Sequence, residues 1–190
     1  VLGSSSSDII EVYDPETETF SVVPALSDRR QAHTATLLPN GKVLIAGGRH
    51  SSGPSQGMPI ADTYLFNPTA LPGNPWTTLD TLHNARYNHS AVLLPDGRAV
   101  VLGGQNGVTA AIKAVELYDP ADNTWAVIGD LLVDRTSHKT LLSGTGKLVT
   151  FGGMGDSFTA RATVEQFALT NIATWSFFTR PAVNAPTCVN

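Results

Sequence analysis

Residues 86–104 read RYNHSAVLLPDGRAVVLGG, and the same order of markers stands at 30–48 (RQAHTATLLPNGKVLIAGG) and at 135–153 (RTSHKTLLSGTGKLVTFGG). Each copy opens on Arg-x-x-His, runs through a short apolar strand, turns at a glycine and ends on a glycine pair. The pairs Gly47-Gly48, Gly103-Gly104 and Gly152-Gly153 stand 56 and 49 residues apart. A unit of that length cannot bury its apolar face alone and has to stack on its neighbours, so the whole chain is read as a repeat array.

Working outward, each unit holds four short strands, a to d in chain order. Strand a starts at His33, His89 or His138 and ends in Pro39-Asn40-Gly41-Lys42, Pro95-Asp96-Gly97-Arg98 or Gly144-Thr145-Gly146-Lys147. The glycine there suits the positive φ of a tight hairpin. Strand b is the apolar run before the glycine pair and reads as covered on both faces. Strand c is DIIEVYDP from Asp8, ADTYLFNP from Ala61, KAVELYDP from Lys113 and ATVEQFAL from Ala162, with Tyr13, Phe66, Tyr118 and Phe167 at one fixed place. Strand d opens at Phe20, Trp76, Trp125 or Trp175, which extends the period over four units. Large aromatics at fixed places serve packing between neighbouring sheets.

Composition bounds the function. With 42% hydrophobic and 15% charged residues in 190, the chain folds as one globular domain and is not intrinsically disordered. A net charge of −4 with 12 scattered basic residues leaves no footprint for nucleic acid or an anionic membrane. One cysteine, Cys188, excludes an intrachain disulfide framework and a thiolate zinc site. No apolar run is long enough for a membrane-spanning helix. The start at Val1-Leu2-Gly3 reads as a processed product or a piece of something larger. Few lysines, many Ser, Thr and Asn, and the run HTATLLPNGKVLIAGG point to a secreted or extracellular bacterial chain.

The double glycine closing strand b, the tyrosine-like residue of strand c and the tryptophan opening strand d resemble the kelch-type, galactose-oxidase-like propellers. The resemblance covers nearly the whole chain. It implies an all-β fold, a β-propeller of four-stranded antiparallel blades, with about four blades in the single domain 1–190. The units are 1–23, completed by 181–190, then 30–79, 86–128 and 135–178. Pairing of residues 1–4 with 181–190 would satisfy two exposed edges and close the ring. The chain as half of an eight-bladed ring, or as a fragment of a six- or seven-bladed propeller, stays open beside it.

In the resembling family the loops between blades (d–a) and between strands b and c usually form the binding site. Arg30, Arg86, Arg135 and Arg180 match the d–a arginines that contact acidic peptides in some kelch proteins, and a guanidinium fork suits a carboxylate. Arginines repeated in every blade equally suit an architectural role, bonding backbone carbonyls. The longer b–c loop RHSSGPSQGMPI, 49–60, adds Arg49 and His50 as ligand-binding candidates. His33, His89 and His138 occupy equivalent places and read as bonding adjacent backbone; no metal site and no cofactor are expected. Glu11, Glu116 and Glu165 read as solvated or arginine-paired. The leading function is a non-catalytic recognition or scaffold module for a protein or glycan. The alternatives are a self-assembling extracellular structural protein, a homo-oligomer through its terminal strands, and a carbohydrate-active epimerase or oxidase-like enzyme. Galactose oxidase chemistry has no visible support, since no tyrosine follows Tyr118 to accompany Cys188.

Overall fold

The computed structural model describes residues 10–26, 28–107 and 110–169. The first sheet pairs β1 (Ile10–Asp14) with β2 (Thr19–Val23). The second holds four strands in the order β4 (Thr34–Leu37), β5 (Val43–Ala46), β7 (Thr63–Phe66) and β8 (Trp76–Thr78). Two-residue strands β3 (Arg30–Gln31) and β6 (Arg49–His50) pair with each other. The third sheet runs β9 (Ser90–Leu93), β10 (Ala99–Leu102), β11 (Ala114–Asp119) and β12 (Thr124–Asp130). The fourth runs β13 (Lys139–Leu142), β14 (Lys147–Phe151) and β15 (Val164–Ala168). All pairings are antiparallel, and within each blade sheet the strands lie side by side in chain order, so the architecture is all-β and made of propeller blades. The ring closure read from residues 1–4 and 181–190, together with Arg180, Trp175 and Cys188, lies outside the described residues.

Within a blade, cross-strand aromatic pairs lock strand c to strand d. Tyr13 meets Phe20 at 4.9 Å between centroids, Phe66 meets Trp76 at 5.0 Å, and Tyr118 meets Trp125 at 5.3 Å. Between blades, each sheet has a leading face toward the preceding blade and a trailing face toward the next. Leu44, Ala46 and Leu65 of the second sheet pack on Ala99, Val101, Tyr118 and Trp125 of the third. Val100, Leu102, Val115 and Leu117, on the other side of the third sheet, pack on Leu148 and Phe167 of the fourth. Strand β10 is therefore buried on both faces, as its unbroken apolar sequence requires. Trp125 also donates its indole N–H across the boundary to the Thr63 hydroxyl at 3.2 Å.

The glycine pairs mark where the next blade crosses. The Gly48 N–H donates to the Arg86 carbonyl at 2.8 Å, and Gly104 repeats the bond to Arg135 at 2.7 Å. A second thread runs along the inner strands: the Asn88 N–H donates to the Ala32 carbonyl and the Ser137 N–H to that of Asn88. Ala32, Asn88 and Ser137 all have φ between 53° and 57°, a left-handed bend that turns each inner strand toward the blade before it. At Gly103, with φ 56°, an added Cβ would lie 2.6 Å from the Arg135 carbonyl oxygen and 2.8 Å from the His138 ring.

Alanine at Gly103 should therefore cost about 3 kcal/mol, from left-handed strain and overpacking together. Gly53→Ala meets nothing within 4 Å, although its φ of 80° is also positive. It should cost no more than about 1–2 kcal/mol. Urea denaturation of the two variants measures the difference.

Candidate functional site

Each Arg-x-x-His element enters its blade at the base of the b–c loop. Arg86 donates through one nitrogen to the Gly103 carbonyl at 2.9 Å and the Ala114 carbonyl at 2.8 Å, the last residue before the loop and the first strand residue after it. Arg135 repeats this on Gly152 and Thr163 at 2.7 and 3.0 Å, and Arg30 on Gly47 and Asp62 at 3.0 and 2.9 Å. The arginine is a clamp that ties both ends of the loop together.

The rest of the guanidinium meets a carboxylate from strand c of the same blade. Arg86 pairs with Glu116, and Arg135 Nε lies 2.5 Å from Glu165. Both glutamates also accept backbone N–H groups of the incoming d–a loop, His83 and Asn84 on Glu116 and Leu132 on Glu165. Burial would raise the Glu116 carboxyl, but the Arg86 charge and these N–H donors outweigh it and hold the pKa below the usual value. In the second blade Tyr64 stands where the glutamate would be, and the Arg30 guanidinium lies over its ring at 4.9 Å.

The structure thus brings Arg30, Arg86 and Arg135 to equivalent places and buries all three. Arg86 and Arg135 are wholly enclosed, so neither offers a guanidinium edge to a molecule in solvent; theirs is the architectural role. In the sequence, the kelch resemblance matches these arginines to ligand contacts while their repetition suits an architectural role; burial favours the second for Arg86 and Arg135. Arg180 lies outside the described residues.

His89 differs from its expected bond to adjacent backbone. His89 Nε2 lies 2.8 Å from the Thr34 hydroxyl of the preceding blade, and the rings of His89 and His138 cover the first glycine of the preceding pair. Burial, with Arg30, Arg86 and Arg135 nearby, pushes His33 down to about 4, His89 to about 3 and His138 to about 4. Among the described residues no cluster of three metal-ligating side chains forms.

What remains accessible is the loop above the clamps. Arg49 and His50, both half-buried, begin the 49–60 loop as strand β6, paired with Arg30 and Gln31. The loop folds back on itself through His50 N–H to the Met58 carbonyl and Gly57 N–H to the His50 carbonyl, and Ser51 N–H bonds the Arg29 carbonyl. Between this loop and the d–a segment lies a polar hollow of about 300 Å³ lined by Asp28, Arg29, His50, Ser52, Pro54 and Ser55. The Arg49 guanidinium lies over the Tyr87 ring of the next blade at 5.2 Å, and Tyr87 donates its hydroxyl to the Gly107 carbonyl. Tyr87 was missed in the sequence; the signal was an aromatic in the spacer of one Arg-x-x-His element. The returning arm of the loop exposes Met58.

The Kelch motif family model matches residues 85–132, the span of the third blade. Kelch-like protein 35 of Mus musculus is 27% identical over 145 residues, 76% of this chain and 23% of that protein. Kelch-like protein 6 of Homo sapiens is 32% identical over 119 residues, 57% of this chain and 17% of that protein. The tRNA wybutosine-synthesizing protein 4 of Saccharomyces cerevisiae is 36% identical over 76 residues, 40% of this chain and 10% of that protein. The chain spans about a quarter or less of the length of these relatives.

Two outcomes follow from the geometry. Arg86→Met leaves Glu116 buried without its counter-charge and should cost about 3–5 kcal/mol, whereas Arg49→Ala, at a loop surface, should stay within about 1 kcal/mol. The three histidines are neutral when folded and titrate near 6.5 when unfolded. Their contribution is therefore complete above pH 6.5 and is withdrawn as the pH falls toward 4, at about 1.4 kcal/mol per histidine for each pH unit. Urea midpoints recorded at pH 7.5, 6 and 5 should fall steadily, and His138→Gln should flatten the dependence.

Proposed function

We propose, for a chain that belongs to the kelch-repeat family, that its loop face is a non-catalytic recognition surface for another protein. The observation that carries this is the division of labour between buried and accessible arginines. The clamp arginines hold the loop bases rigidly, while Arg49, flat on Tyr87, and His50 stand at the rim of the hollow with Met58 exposed beyond them. Arginine, tyrosine and methionine are the residue types enriched at protein interfaces. A loop held at both ends loses little conformational freedom when a partner docks, which favours affinity.

Leu132 and Phe158 are exposed on the d–a and b–c loops of the fourth blade and extend the same surface away from the basic sector. The hollow itself is polar, and a glycan is the second ligand class to try there, because Asp28, Ser52 and Ser55 offer hydroxyl partners. A secreted bacterial source, suggested by composition, draws no support from relatives that come from mammals, frogs and yeast.

The test is selection of peptides from a displayed library on the immobilised chain, with a glycan array probed in parallel. Selected peptides should lose at least tenfold in affinity to Arg49→Ala and to His50→Ala, and nothing to Glu16→Ala, which lies in the exposed c–d turn of the first blade. Peptides indifferent to both loop substitutions would refute the assigned surface. Glycan hits that vanish with Asp28→Ala, without peptide binders, would move the ligand to the second class.

A further inference from the structure

The most exposed large apolar side chain among the described residues is Leu132, at 76%, on the d–a connection that enters the fourth blade. Its backbone is fixed, because the Leu132 N–H donates to the buried Glu165 carboxylate at 2.6 Å. The third blade shows how the same position is used elsewhere. There His83 donates its N–H to Glu116 and turns its ring back to that carboxylate at 3.2 Å. His83 is also exposed, although blades stand on both sides of it, so exposure belongs to the position. Leucine cannot make the return bond, and its side chain stays in solvent on a held backbone.

Phe158 stands near it on the b–c loop. The Asp156 N–H donates to Asp134 Oδ2 at 2.8 Å and joins the two loops, and Leu132 and Phe158 each lie two residues from that bond. Phe158 is 55% exposed, and both it and Ser157 are left-handed, with φ of 59° and 55°. A bulky residue in that region is an outlier that the surrounding bonds have to hold. The Gly155 N–H donates to the Thr159 carbonyl at 2.8 Å, and the Asp156 carboxylate accepts the Ala111 N–H of the third blade's loop at 2.8 Å. A strained turn, tied to two other loops, thus keeps the ring in solvent. The charges around the two side chains are unequal. Arg161 neutralises Asp134 at 2.7 Å, whereas Asp130 and Asp156 are exposed and, among the described residues, form no ion pair.

We propose that Leu132 and Phe158 form a docking point for a protein segment that carries an apolar side chain beside a lysine or arginine. The apolar side chain packs on the ring and the leucine, and the cation meets Asp130 or Asp156. Charge decides the kind of segment: an acidic one, suited to Arg49 and His50, would be repelled at these carboxylates. An apolar anchor inside a charged rim is the anatomy of an interface hot spot, and a backbone already held loses little freedom on binding. The inference rests on the loop-face reading and assigns the chemistry of that surface at its fourth-blade end.

The test is a displayed peptide library selected on the immobilised 190-residue chain, each recovered peptide then being measured on Leu132→Ser, Phe158→Gly and Arg49→Ala. Peptides pairing an apolar with a basic residue should be enriched, should lose at least about tenfold in affinity to Leu132→Ser and to Phe158→Gly, and should weaken as salt is raised. Phe158→Gly relieves the left-handed strain, so its urea midpoint should not fall. Loss of binding without loss of stability separates a docking side chain from a packing one. Peptides that lose affinity to Arg49→Ala alone would overturn this inference and leave the loop-face reading standing, while peptides indifferent to all three variants would overturn both. Recovery of only acidic peptides, of none that prefers the wild type to Leu132→Ser, or a lowered midpoint for Phe158→Gly would also overturn it.

Discussion

The structure depends on the crossing of each Arg-x-x-His element over the glycine pair of the blade before it. Three bonds of different character meet there. The second glycine N–H donates to the arginine carbonyl, the histidine ring covers the first glycine, and the arginine side chain turns back into its own blade. A side chain on Gly47 or Gly103 would enter the space of the crossing segment, and one on Gly48 or Gly104 would strike the Arg-x-x-His element of its own blade. The requirement is reciprocal: a blade without its glycine pair cannot receive the next blade, and a blade without its arginine cannot hold the loop that emerges beside the crossing.

Burying arginine at this junction has a cost that the chain offsets locally. A guanidinium removed from water needs several hydrogen bonds and an anion, and Glu116 and Glu165 supply the anion while accepting the d–a loop N–H groups. One carboxylate therefore sets the side chain and the loop approach at once. The second blade departs from this pattern. Arg30 keeps both carbonyl bonds but meets the face of Tyr64, a weaker and less directional partner than a carboxylate. Among the described residues, that blade also carries the longest b–c loop, with the polar hollow beside it.

Much of this was legible in the sequence, and the part that was not has a physical reason. The glycine pairs, the strand c aromatics and the strand d tryptophans announced blades because each depends on local geometry or on period-two burial. The sequence leaves the arginines between ligand contact and an architectural role, and the glutamates between solvent and an arginine partner, because burial depends on a residue thirty positions away. Glu116 follows Arg86 and Glu165 follows Arg135 at that same separation, and Tyr64 breaks the series, so the correlation stood in the sequence without a contact to interpret it. The partner of His89 was further out of reach, since Thr34 is 55 residues upstream in a different blade. The Arg49–Tyr87 stack likewise joins two blades. The strand pattern within a blade could be read, whereas the arginine–glutamate pairs and the contacts between blades needed the fold.

The clamp also explains how one repeat tolerates unequal loops. In the third and fourth blades the two carbonyls held by the arginine are eleven positions apart, and in the second blade they are fifteen apart. The same nitrogen spans both cases, so the four extra residues are taken up entirely above the clamp and the strands below keep their register. The remaining three residues of the longer spacing lie in the turn between β7 and β8, on a separate connection. Lengthening a closed surface loop raises its entropic cost only slowly, and a fixed base confines the new conformations to the exposed tip. A scaffold with this property can change what its loop face presents without renegotiating how its blades pack. Such separation lets a recognition surface diverge while the glycine, arginine and histidine markers stay in place.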